Sequence, residues 1–312
     1  MAGISTFTAS YQSPGIIMRQ IVIGLLFAIL WASAAVATKF GIHSADALIL
    51  ANVRFLLAGG GMLLFAYLGQ KGEHRLPRGK EWKQLLIFGS LNTTVYLGCF
   101  VLAMKSVSAG IGSLSTATSP LFIMVISALW LKRSLKWYEI VGMLLGMAGV
   151  GLATYPLLHD SHATVGGIAT LLFGMLAVSV ATVYYARIKW EMANVVINGW
   201  QVFLGGLLFI PITAFFANFE TSHLDLRFWL SVGWLIIPVS IIALQLWFYL
   251  VRKDAVRASL WLFLCPVFGF LYSSVLLHEP ITWFTFAGTF LVIGGLYLAQ
   301  REKFQKKVAD EK

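Results

Sequence analysis

Apolar stretches of about 20 residues follow one another along this sequence, joined by short polar segments, and no other feature constrains the fold as tightly. We read ten of them, at 20–38, 47–69, 83–104, 107–131, 135–155, 165–186, 194–217, 228–250, 256–277 and 281–299. A helix rises about 1.5 Å per residue, so each stretch can cross a hydrocarbon layer about 30 Å thick. Only 12% of the chain is charged and 59% is hydrophobic, whereas globular domains carry about 25% charged residues. A soluble core of this length has no room for so much apolar surface. The expected fold class is an all-α integral membrane protein. No cleavage-site pattern follows the first span, which is therefore expected to remain as an anchor.

The sequence also repeats itself. Displaced by 146 residues without a gap, Leu25-Leu26-Phe27 falls on Leu171-Leu172-Phe173, Ser33 on Ser179, Asn52 on Asn198, and Gly59-Gly60 on Gly205-Gly206. The register holds further on, where Ser113 meets Ser259, Pro120 meets Pro266, Trp137 meets Trp283, and Gly142 and Gly149 meet Gly288 and Gly295. In a membrane chain such a duplication points to a transporter. Five spans per copy is an odd number, so the second copy must insert upside down. The expected architecture is ten transmembrane helices in a 5+5 inverted repeat. Its expected divisions are a cytoplasmic segment 1–19, a first repeat 20–155, a second repeat 165–299 and a charged cytoplasmic tail 300–312.

Charge placement agrees with inversion. Of the 23 Lys and Arg, 19 lie before span 1, after span 10 or in the alternate joints between, and only Lys39, Lys105 and Arg227 lie in the opposite joints. The positive-inside rule then puts both termini in the cytoplasm. The net charge of +10 marks topology and offers no contiguous basic face for nucleic acid. The expected partners are a small-molecule substrate and the lipid bilayer. Oligomeric state is left open, a monomer included.

Several chemistries are missing. The sequence contains no HExxH, CxxC or phosphate-cradling glycine loop, so no metal, cofactor or enzymatic activity is expected. Cys99 and Cys265 both fall within spans and form no disulfide framework. All six histidines are assigned to joints between spans. None of the 13 acidic residues lies in mid-span, and proton-driven carriers commonly use such a group. Facilitated or exchange-type transport is the expectation, with proton-coupled efflux as the alternative; a lipid enzyme or a non-transporting scaffold is a remote one.

Polar residues inside spans are the candidates for a transport path. Arg54 is the one intramembrane cation, and it must snorkel, pair or face a wet cavity. Asp46, within two helical turns, is a candidate partner, and a substrate carboxylate is the alternative. Asn92 and Tyr96 share one helical face, as do Ser113 and Thr116; such faces either line a cavity or bond helices together. Gln245 carries an amide that is costly to bury. Trp31 and Trp261 lie away from the interfacial belts where Trp collects. Pro120 and Pro266 stand mid-span at equivalent repeat positions, where each breaks a backbone hydrogen bond and provides a kink or hinge.

These residues carry a family resemblance. Leu30-Trp31-Ala32-Ser33 with Thr38-Lys39-Phe40-Gly41, then Arg54-Phe55, resembles the opening of EamA-type carriers of the drug/metabolite transporter superfamily. Ser119-Pro120-Leu121-Phe122, Cys265-Pro266-Val267-Phe268 and the turn Leu276–Thr282, followed by Gly288 and Gly295, are similar to further motifs of that family. The resemblance implies an exporter of amino acids and other small metabolites in the inner (plasma) membrane, its ten helices set around a central cavity, with Trp31 and Ser33 lining that cavity. One departure is Lys132-Arg133-Ser134, where the family often has Gly-Glu.

Overall fold

The computed structural model describes residues 14–69, 74–107, 109–160, 164–277 and 283–310. The architecture is all-helical, with no strand among the described residues. The helices are α1 (Pro14–Ile42), α2 (Ala47–Gly69), α3 (Lys80–Ala103), α4 (residues 109–130), α5 (Trp137–Asp160), α6 (Val165–Arg187), α7 (Asn194–Phe216), α8 (Leu226–Val251), α9 (residues 255–277) and α10 (Trp283–Asp310). Seven of these are long and apolar enough to cross a bilayer: α1, α2, α3, α6, α7, α8 and α9. Thr116–Trp130 of α4 and Phe286–Ala299 of α10 are shorter apolar helices.

Capping residues fix where several helices begin. Asp46, Thr164, Asp225 and Asp254 each accept a hydrogen bond from a backbone N–H of the first turn, which would otherwise have no partner. Helix ends differ from the apolar stretches because a helix can continue through polar residues once it leaves hydrocarbon. Thus α1 starts at Pro14, not 20; α10 runs to Asp310, not 299; and α5 continues to Asp160, which puts His159 in a helix and not in a joint.

Irregular turns interrupt the helices at matching places. A π-helical segment spans Ser90–Val95 in α3 and another spans Leu235–Ala243 in α8. A 3-10 turn spans Thr116–Thr118 in α4 and another spans Leu260–Phe263 in α9. Pro120 and Pro266 follow these 3-10 turns, so each proline stands at the start of the next α-helical piece, where its missing N–H costs little. The break therefore lies one turn before the proline.

The packing pairs elements in the same pattern twice. Helix α2 packs on α7 and α5 on α10, while α1 lies against α8 and α9 as α6 lies against α3 and α4. Close approach depends on glycine. A Cβ on Gly142 would sit 2.5 Å from the carbonyl oxygen of Gly295, and one on Gly149 would sit 2.6 Å from that of Gly288. In lipid, helices gain little from burying apolar surface, so this backbone contact is what joins α5 to α10. The outside is apolar instead: Phe215 is 82% exposed and Leu129 is 78% exposed. Such a surface requires lipid.

Candidate functional site

Charge and polarity gather at the centre of the bundle. Arg54 on α2 is 2% exposed, and its Nε donates to Ser240 Oγ at 3.0 Å on the π-helical part of α8. Its ζ carbon lies 5.9 Å from the Phe55 ring centroid. The terminal guanidinium nitrogens make no hydrogen bond, and no carboxylate pairs with them, among the described residues. Asp46, the partner considered from the sequence, is engaged elsewhere. It pairs with Lys105 at 2.7 Å and caps α2 through Leu48 N at 2.8 Å. It sits at the helix start, whereas Arg54 points inward two turns on.

Two adjoining chambers receive these groups. The first is lined by Arg54 with Trp31, Tyr96, Ser113, Thr116 and Cys265. The second is lined by Asn92, Ser119 and Thr182 with Phe27, Met175 and Trp247. Trp31, Tyr96 and Thr116 belong to both and form the wall between them. Each chamber has about 20 Å³ of free space, room for about one water. Phe27 stacks on Trp247 with centroids 5.0 Å apart and meets Trp31 at 5.6 Å, giving the second chamber an aromatic side.

The irregular turns present these side chains. Asn92 lies in the π-helical segment of α3 and Tyr96 just after it. Thr116 opens the 3-10 turn of α4 and bonds back to Ser113 O at 2.6 Å. π-Bulges and 3-10 turns re-aim side chains that a regular helix would carry past the site.

Three candidates stand apart. Ser33 donates to Leu30 O at 2.6 Å and accepts from Trp234 Nε1 at 2.8 Å, which ties α1 to α8. Trp261 packs on α1 at Gly24, where any Cβ would collide with its ring. Gln245 lines neither chamber, and its buried Nε2 finds no partner among the described residues.

Ion pairs and hydrogen bonds tie helices together at both ends of the bundle. At the end rich in Lys and Arg, Arg133 grips the fully buried Glu139 through two contacts of 2.9 Å and reaches Asp254 at 2.9 Å, with Arg257 alongside. Nearby, Arg75 pairs with Glu81 at 2.7 Å and with Glu191 at 3.3 Å. At the other end Lys39 Nζ donates to Met104 O at 2.7 Å and Ser44 Oγ to Asp225 at 3.1 Å, beside an open cavity of about 430 Å³.

Known proteins resemble this chain along most of its length. Residues 18–155 match the EamA-like transporter family, and residues 165–300 match it again. This chain belongs to the EamA-like transporter family. It is a multi-pass membrane protein of the drug/metabolite transporter superfamily. It is similar to an uncharacterized transporter of Archaeoglobus fulgidus, at 25% identity over 92% of this chain and 100% of that one. It is also similar to the uncharacterized transporter YvbV of Bacillus subtilis, at 26% identity over 90% of this chain and 91% of that one. The uncharacterized inner membrane transporter YedA of Escherichia coli is 28% identical over 83% of this chain and 84% of its own length. One solved crystal structure shares the fold, with a TM-score of 0.74, 21% identity, and coverage of 91% of this chain and 96% of that one.

In this EamA-like chain a polar network behind the chambers escaped sequence reasoning. Gln201 on α7 accepts from Thr93 Oγ1 at 2.8 Å and from Asn92 Nδ2 at 3.3 Å, and donates to Asn198 Oδ1 at 3.0 Å. Asn198 in turn donates to Ser240 O at 2.8 Å. The network thus runs from Asn92 in one chamber to the residue that holds Arg54 in the other. Its signal was present: Asn198 and Gln201 stand three apart in an apolar stretch, sharing one helical face.

Proposed function

We propose that this protein is a carrier that exports small carboxylate-bearing metabolites, amino acids among them, across the inner membrane by alternating access. The observation that carries this reading is Arg54, a buried guanidinium that lines a chamber and has no acidic partner among the described residues. A buried charge left without a counter-charge is costly, and a planar carboxylate matches the guanidinium fork. Ser113, Thr116 and Tyr96 stand around the same chamber to accept or donate further hydrogen bonds.

The two halves, 20–155 and 165–299, act as the inverted repeats of a ten-span carrier with both termini cytoplasmic. This reading draws on the ungapped 146-residue register, the paired irregular turns and the duplicated packing pattern. The breaks before Pro120 and Pro266 serve as hinges. The Arg133–Glu139–Asp254 cluster bridges the halves at the cytoplasmic end, so that end opens only when those pairs part. Outward direction follows from the family resemblance. In the absence of a mid-span carboxylate the transport is facilitated or exchange-type.

Efflux from cells preloaded with labelled amino acids tests the path. Arg54→Gln, Asn92→Ala and Trp31→Ala each abolish efflux while inserting into the membrane at wild-type levels. Normal efflux in all three would remove the central chambers as the route.

A further inference from the structure

The second chamber contains an unpartnered hydroxyl. Helix α6 carries Thr170, Ser179 and Thr182, and two of them follow the usual habit of helical hydroxyls. Thr170 Oγ1 donates to Gly166 O at 2.8 Å and Ser179 Oγ to Met175 O at 2.6 Å, each one turn back. Thr182 does not. Its Oγ1 is buried, with the residue 2% exposed, and has no hydrogen-bond partner among the described residues. Thr182 lines the second chamber beside Asn92 and Ser119, opposite the aromatic wall of Phe27 and Trp247. Thr38 and Ser127 also hold hydroxyls without a partner among the described residues, but neither lines either chamber.

A hydroxyl buried without a partner forfeits its hydration with nothing in return, whereas its apolar isostere loses almost nothing in the same place. A polar group kept at such a site makes sense where a ligand completes it. The neighbouring chamber holds a second incomplete group, the Arg54 guanidinium, and the two spaces share the wall of Trp31, Tyr96 and Thr116. We propose that Thr182 is a specificity-determining residue and that the substrate is bifunctional. Its carboxylate binds Arg54, its body passes the Trp31–Tyr96 wall, and a neutral hydrogen-bonding group at its far end, a hydroxyl or amide, pairs with Thr182 in the second chamber. This inference rests on the carrier reading above and adds the chemistry of the far end. Ser119 does not serve this role, because its hydroxyl already donates to Met175 Sδ at 3.4 Å. Asn92 is tethered to Gln201 and forms the chamber's fixed side.

The test compares substrate pairs that differ by one hydroxyl: homoserine against 2-aminobutyrate, and tyrosine against phenylalanine. Each is offered as competitor for counterflow in proteoliposomes containing the whole chain. The wild type prefers the hydroxylated member of at least one pair by about tenfold, the worth of one neutral hydrogen bond. Thr182→Val removes that preference, while Thr182→Ser retains it. The empty Thr182→Val carrier melts no lower than wild type, because it loses no internal hydrogen bond; a structural threonine would show the reverse. Should Thr182→Val not reconstitute, Thr182→Ala gives the same comparison. A preference that survives in Thr182→Val, or none in either wild-type pair, overturns the role of Thr182 while leaving the carrier reading intact. Failure of every compound to show saturable flux would overturn both.

Discussion

Replacing Arg54 by Met should make the empty protein more stable and its substrate-bound form no more stable than the empty one. Arg54 is 2% exposed and has one internal hydrogen bond, 3.0 Å to Ser240 Oγ. Met fills a similar length without a charge. Removing that bond costs about 1.5–3 kcal/mol, but removing an uncompensated buried cation returns more, since desolvation alone amounts to several kcal/mol per ion. The expected net gain is about 1–4 kcal/mol. Binding moves the other way. A carboxylate held through two charged hydrogen bonds draws about 3 kcal/mol from the guanidinium, so its loss raises the half-saturation constant by about 100-fold. The assay is thermal unfolding of the detergent-solubilised protein, with and without saturating amino acid, for wild type and Arg54→Met. The wild type gains stability with ligand; the variant starts higher and gains none. An empty variant that melts lower than the wild type would mean that Arg54 braces α2 against α8, and the reasoning from an unpaired charge would fail.

The other predictions concern the ends and the frame. Glu139→Gln weakens the Arg133 cluster, so Cys265, buried in the first chamber, reacts faster with maleimide in a Cys99→Ser background; unchanged labelling would detach that cluster from access. Gly142→Ala forces a methyl against the Gly295 carbonyl and lowers stability by about 1–3 kcal/mol, whereas Gly61→Ala, with open space around it, is neutral.

The frame of this fold was legible because lipid permits few solutions. Spans of about 20 apolar residues must be helices, and glycines at equivalent positions mark where helices touch. The family was legible for the same reason, through Trp31, Arg54 and the paired Pro120 and Pro266. What escaped were features without a one-residue signature. The π-helical segments at Ser90–Val95 and Leu235–Ala243 leave no mark in hydropathy, yet they bring Asn92 and Ser240 to the centre. Ser33 and Trp261 are as polar or as aromatic as the chamber residues; only the rotation of their helices turns them toward Trp234 and Gly24 instead. Thr182 was passed over because a threonine in a span usually bonds to its own helix. Its exception is visible only once the neighbouring carbonyl is seen to lack that bond.

The most direct measurement is counterflow of labelled amino acids in proteoliposomes, with and without a pH gradient, for wild type and Arg54→Gln. Saturable counterflow that ignores the gradient and disappears in Arg54→Gln is the expected result. Accumulation only under a gradient, or undiminished flux through Arg54→Gln, would contradict a facilitated carrier built around an unpaired buried arginine.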